Sequence, residues 1–179
     1  MDEARLENSG SGLAPTGDGW FVVNVRDARW WTSDTLGSGW LLEDRDFSFS
    51  QLGLNLRVLE PGQPNGLYHS EATQEAFLVL SGECTLLVEG EERLLRQWDF
   101  FHSPAGTEHI FVGAGDGPCT ILMLGPRPEE EQLHYPVSEL AARYGASVEE
   151  ATSDPDKAYA QWEEGRLGRP SSWHRLPWA

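Results

Sequence analysis

The sequence predicts an all-β barrel or sandwich that turns helical only near its end. Three observations predict it. Short apolar runs recur between residues 47 and 126, and turn pairs divide them: Asn65-Gly66, Ser81-Gly82, Glu89-Gly90 and Asp116-Gly117. Several runs alternate apolar and polar residues, the period of a half-buried strand. Helix start and stop signals gather only after Pro126. Many short strands with regular turns close into a sandwich or a barrel. No internal repeat is present.

The elements follow in order. Residues 1–19, with Gly-Ser-Gly and Thr-Gly-Asp-Gly, read as a flexible tail. Residues 20–25 read as a first strand, and 28–31 as a continuation outside the barrel. A long strand runs over 48–59 and ends at Pro61-Gly62. Further strands are expected at 67–71, 75–80, 83–89, 92–97, 99–103, 108–113 and 118–124. The barrel domain therefore spans 20–126, and a C-terminal extension spans 127–179. In that extension 128–131 is an acidic linker. A short helix over 138–144 has Ser138 as N-cap and Gly145 as its stop. Asp154-Pro155 starts a second helix, with Tyr159 and Trp162 for docking. The aromatic end, 173–178, is expected to lie on a barrel face or on a neighbouring subunit.

Composition narrows the function. The chain has 179 residues, a formal net charge of -16 and a pI of about 4.5. Nucleic acid and anionic membrane surfaces both need basic patches, so neither is an expected partner. Cys84 and Cys119 stand in apolar runs and read as buried free thiols, not a disulfide scaffold. The first residues carry no apolar signal region, and no apolar run is long enough to span a bilayer. A cytoplasmic protein is the expectation.

One constellation carries chemistry. His69, Glu71, Glu75 and His109 come from two separate stretches among the strands. His69 and Glu71 are two apart and share a strand face. Glu75 opens a run in which Phe77 and Val79 lie on its face, and His109 opens one in which Phe111 does. A bend over 72–74 brings Glu75 beside the first pair. The four side chains then aim into a cavity walled by Phe77, Val79 and Phe111. Imidazole and carboxylate together suit a borderline divalent metal, one ion per chain. Glu71 also suits a second role, as a carboxylate that steers a histidine. His102 is placed as a candidate acid or base. Gln74 and Arg57 are read as surface or strand-edge side chains, and Tyr68 as lying outside the site. The glycine-rich stretch 113–117 precedes a strand, so it is a hairpin turn and not a phosphate loop.

At these residues the chain resembles the cupin superfamily. The first cupin motif appears as Gly62, His69-Ser70-Glu71, three residues, Glu75, six residues, Gly82. The second appears as Pro104, Gly106 and His109. Glu71 replaces the second histidine of the first motif. Trp98 stands where the second motif begins with glycine, and Gly113 where it ends with asparagine. The resemblance implies a double-stranded β-helix, the jelly-roll barrel, with a small α-helical C-terminal extension. It implies a metal at His69, Glu75 and His109, joined by Glu71, and a homodimer paired through its sheets.

Three function classes remain open. The first is a metal-dependent enzyme. With Fe(II), two histidines and one carboxylate leave positions for substrate and dioxygen, and the His69–Glu75 spacing resembles that of 3-hydroxyanthranilate dioxygenases. With Mn, Zn or Ni, an isomerase or lyase is implied, in which a carboxylate off the metal moves the proton. The second class is a metal-containing module that binds a small molecule without turnover. The third is a structural dimer.

Overall fold

The computed structural model describes residues 1–43, 47–129 and 132–179. Glu130 and Glu131 of the expected acidic linker lie outside the described residues. A hairpin of β1 (Arg5–Asn8) and β2 (Leu13–Thr16) comes first. Then follow β3 (Trp30–Ser33), β4 (Gly37–Trp40), β5 (Leu52–Leu59), β6 (Ser70–Glu71) and β7 (Glu75–Ser81). After them come β8 (Glu83–Val88), β9 (Glu91–Arg96), β10 (Phe100–Ser103), β11 (His109–Ala114) and β12 (Cys119–Pro126). The extension holds β13 (Leu133–His134), α1 (Glu139–Ala142), α2 (Pro155–Ala158) and β14 (Arg166–Leu167), and a 3-10 turn at Trp173–Arg175.

Two antiparallel sheets make the barrel. The larger runs β10-β7-β12-β5-β4-β3-β14 and the smaller β11-β8-β9. The pair β13-β6 adjoins the smaller sheet through a bridge between His69 and His109. Alternation explains the core. Phe77 and Val79 of β7, Leu59 of β5 and Ile121 of β12 point inward and meet Cys84, Leu86 and Phe111 from the smaller sheet. The fold is the all-β barrel that the strand pattern predicted, with the jelly-roll form that the cupin resemblance implied. Strand boundaries between 75 and 126 agree with the expected ones to within two residues. Cys84 and Cys119 are free and buried.

The N-terminal third departs from expectation. Residues 1–19, expected as a flexible tail, hold a β-hairpin, and the Gly-Ser-Gly segment is its turn. Gly12 approaches the Ala28 carbonyl so closely that a β-carbon there would lie 2.1 Å from its oxygen. Residues 20–25 do not form a strand; Trp20 makes only an isolated bridge to Glu3, and Val22 is exposed. The apolar run 20–25 is satisfied by side-chain contacts instead, Val25 packing beside Trp30 and Phe21 beside Phe49. The barrel sheet takes β3 and β4 in its place. β4 is Gly-Ser-Gly-Trp, whose glycines hide its strand character in the sequence.

The extension folds over the barrel. Ser138 caps α1 by accepting from the Ala141 N–H, and Gly145 ends it with a φ of 67°. Asp154 caps α2, with Pro155 in its first turn. The Tyr159 hydroxyl accepts from the Leu67 N–H, so the end of α2 is tied to the segment leading into the site. Trp173 and Trp178 pack on Trp30, and Leu176 on Leu56 and Val58.

Trp98 explains one departure from the cupin pattern. Its φ is 75°, in the left-handed region where a glycine fits without strain. Its side chain is 67% exposed, so packing returns little. A side chain in that conformation costs about 1–2 kcal/mol, partly offset by the flexibility of an unfolded glycine. Trp98→Gly is therefore expected to raise stability by roughly 0.5–1 kcal/mol, or a few degrees of melting temperature. A lower melting temperature would mean that the indole contributes more than its exposure suggests.

Candidate metal centre

Backbone pairing brings the two histidines together. The His109 N–H donates to the His69 carbonyl at 2.8 Å and the His69 N–H donates back at 3.2 Å. Residues paired this way present their side chains on one side of the sheet. The imidazole centroids are accordingly 5.3 Å apart. Glu75 arrives from the facing sheet, at the first position of β7, after the bend over 72–74. One ligand atom from each of His69, Glu75 and His109 lies within 4.8 Å of the others. His109 Nε2 is 3.4 Å from Glu75 Oε2.

The turn before β11 aims His109. Thr107 N–H donates to the Pro104 carbonyl, and Gly106 takes the left-handed position with a φ of 82°. The Thr107 carbonyl then accepts from His109 Nδ1 at 3.0 Å. His69 Nδ1 lies 2.7 Å from the Leu67 carbonyl. A carbonyl only accepts, so both Nδ1 atoms carry a proton and the neutral form of each ring presents its lone pair at Nε2. This is the state that metal ligation needs, fixed by partners behind the ligands. Two such nitrogens and one carboxylate, drawn from both sheets, fit a divalent metal of the Mn, Fe, Ni or Zn group.

The two histidines titrate in opposite directions. Burial pulls the His109 imidazolium down to about 4, and the charge on His69 pushes the same way. At His69 burial opposes the charge, but the Glu71 carboxylate 3.7 Å from Nε2, the Leu67 carbonyl and the charge of Glu75 outweigh it and raise the pKa. The His109 shift has a consequence for metal-free protein. The unfolded chain takes up that proton near pH 6.5 and the folded one only near 4, so stability is intact above about 6.5 and falls toward pH 4. The raised His69 adds stability below about pH 6.5 and loses it as pH rises through its folded pKa, so it does not cancel the acid loss. Melting of chelator-treated protein between pH 7 and 4.5 should show a fall that is distinctly shallower in His109→Gln. Equal slopes would mean that His109 is not buried neutral.

The other expected site residues divide. Phe77, Val79 and Phe111 are buried in the barrel core, and the Phe77 and Phe111 rings lie 5.1 and 6.2 Å from that of His109. Glu71 stands beside the site, its Oε1 3.7 Å from His69 Nε2, but is not one of the three that converge. His102 is exposed: β10 turns Phe101 and Ser103 toward the barrel and His102 to the opposite face. Its catalytic placement is therefore corrected. Tyr68 lies outside the site, in the cluster under α1, and Gln74 is exposed. Arg57 is no surface residue. Its guanidinium lies over Trp31 and donates to the Leu36 and Asn65 carbonyls, and burial lowers its pKa to about 10.

Sequence reasoning missed three neighbours. Phe101 packs on Phe77 and His109, and Ser103 Oγ is 3.5 Å from His109 Nδ1. The register Ser103↔Glu75 would have found both, but register is set by pairing and not by local pattern. Tyr135, from the extension, places its ring 5.7 Å from that of His69. Nothing local in its sequence signals that contact.

Residues 55–125 match the family model for the Cupin domain, a span that holds both sheets' core strands and all three convergent residues. The chain belongs to the cupin superfamily. Among solved structures, this cupin is similar to a sugar phosphate isomerase of the cupin superfamily from Silicibacter pomeroyi DSS-3. The two are 33% identical over 56% of this chain and 66% of that one, with a TM-score of 0.51. The polyketide cyclase RemF from Streptomyces resistomycificus shares the fold: 18% identity, 62% of this chain, 82% of its own and a TM-score of 0.51. A structure from Acidithiobacillus ferrooxidans ATCC 23270 is 28% identical over 46% of this chain and 55% of its own, with a TM-score of 0.45. The cupin thus spans between about half and two thirds of its two isomerase-like relatives. No curated protein matches the sequence. No helix among the described residues is long and apolar enough to cross a membrane.

Proposed function

We propose that this cupin is a divalent-metal enzyme of the isomerase or lyase type, acting on a small hydroxy-carbonyl compound. The observation that carries the reading is the convergence of His69, Glu75 and His109 within 4.8 Å, with each histidine Nδ1 bonded to a backbone carbonyl behind it. The likeness to a cupin named sugar phosphate isomerase favours this chemistry over oxygen chemistry.

In this reading His69, Glu75 and His109 hold the metal. A bound divalent ion supplies Lewis acidity toward a carbonyl or hydroxyl oxygen of the substrate. Phe77, Phe101 and Phe111 keep water from one side of the site. Glu71, at 3.7 Å from His69 Nε2 and outside the convergent three, accepts the proton from the carbon beside the carbonyl and returns it to the former carbonyl carbon, while the hydroxyl proton passes to the former carbonyl oxygen.

Metal analysis of tag-free protein, dialysed without chelator, tests the first half. Manganese, zinc or nickel near one per chain is expected. The second half is tested by incubation with aldose and ketose phosphates in heavy water. Deuterium should enter the carbon next to the carbonyl with the native chain, and not with Glu71→Gln at equal metal content. Iron with oxygen consumption on an aromatic substrate would replace the isomerase reading with a dioxygenase. A full metal complement with binding but no turnover would make the protein a ligand-binding module.

A further inference from the structure

The barrel wall next to Glu75 is bare. Alternation puts Gly53, Asn55, Arg57 and Leu59 of β5 on the inner face, opposite Gly125, Met123, Ile121 and Cys119 of β12. Gly53 pairs with Gly125, and β12 lies between β5 and β7. A β-carbon on Gly125 would lie 3.7 Å from Glu75 Cγ. At the level of this metal-site carboxylate, then, two neighbouring strands send no side chain inward.

Backbone geometry does not require these glycines. Neither has a positive φ. At Gly125 the nearest neighbour is at ordinary contact distance, and at Gly53 only the Arg127 side chain lies near. Glycine within a strand weakens it; at Gly53 the missing β-carbon admits the Arg127 side chain, and at Gly125 it leaves space beside Glu75 for another group to approach.

A cation covers the same spot. The Arg127 guanidinium stands 3.0 to 3.4 Å from the β-carbon position of Gly53. Its Nη2 donates to Glu43 Oε2 at 2.7 Å, and with the side chain 43% exposed the rest of its fork is open to another acceptor. Deeper on the same face, Arg57 donates from Nη2 to two backbone carbonyls, and its Nε is buried without a partner. Two guanidinium groups thus line one inner wall of a chain whose net charge is -16.

We infer that the trough over Gly53 and Gly125 receives an anionic group of the substrate, a phosphate or a carboxylate, with Arg127 as its positioning residue. The hydroxyl or carbonyl end of the same molecule then reaches His69, Glu75 and His109. The inference rests on the metal-centre reading given above for the chemistry, but its own test is binding.

Calorimetric titration of the metal-loaded full chain decides it, with glycerol 3-phosphate and glycerate as separate probes. The native chain should bind at least one of them. Arg127→Met and Gly125→Ala should each weaken that binding about tenfold or more, with metal content and melting temperature close to native. Gly125→Ala keeps the Arg127–Glu43 pair and meets Glu75 Cγ only at ordinary contact distance, so it separates loss of the trough from loss of that pair. A response to the phosphate alone assigns phosphorylated substrates, and to the carboxylate alone acids; either supports the trough. Native-like affinity in both variants, or no binding of either probe by the native chain, overturns it. If the native chain takes up no metal, the metal-centre reading fails, and the same titration of metal-free protein still decides the trough.

Discussion

Glu75→Ala is expected to leave a folded barrel that no longer holds metal. Glu75 supplies the single convergent carboxylate and the single donor from the larger sheet, while His69 and His109 sit on the bridge beside the smaller one. Removing it leaves two neutral imidazoles, and affinity should fall at least about 100-fold. The fold should survive, because the barrel core of Phe77, Val79, Leu86, Phe111 and Ile121 does not include Glu75. Two readouts separate the outcomes. Metal content should drop to background while circular dichroism stays native. Added metal should raise the melting temperature of the native chain, by mass action on the folded state, and leave that of Glu75→Ala unmoved. Full occupancy in the variant would sink the ligand assignment.

Trp30→Ala is expected to be the most damaging single change outside the site. Trp30 is fully buried on β3, donates from Nε1 to the Val25 carbonyl, and packs against Trp173 at 5.3 Å and Trp178 at 5.5 Å. Truncating a buried tryptophan costs about 3–5 kcal/mol, which for a chain of this size is roughly 10 °C of melting temperature. The Val25 carbonyl would lose its donor, and the aromatic end its platform. Limited proteolysis should therefore release a fragment near residue 173 before the barrel itself is cut. A loss under about 1 kcal/mol, with no early cut, would mean that the C-terminal end does not rest on β3 in solution.

Much of this was legible in the sequence because it is local. Alternation told which residues of β7 share a face, and Glu75, Phe77 and Val79 do. The capping chemistry of Ser138, Asp154-Pro155 and Gly145 marked both helices. The residue types at 69, 75 and 109 marked a group that could hold a metal, and the cupin motifs around them implied the jelly-roll barrel.

Other features were decided only by the tertiary structure. Periodicity says which residues share a face but not which face is inward. That choice put Phe101 and Ser103 beside the site and His102 in solvent, because β10 pairs with β7 in the register Ser103↔Glu75. The exchange of hydrogen bonds between His69 and His109 joins residues forty apart, and it selects which ligands converge and leaves Glu71 beside them. Gly-Ser-Gly at 10–12 resembles a mobile tail and is a hairpin turn, since its strands find partners only in the folded chain. Gly53 and Gly125 are unremarkable as isolated letters and become a bare wall only when β5 and β12 pair. By itself the sequence determined the chemistry available and the class of fold; contacts between distant strands decided which groups meet, because their register and facing are properties of the pairing and not of either segment.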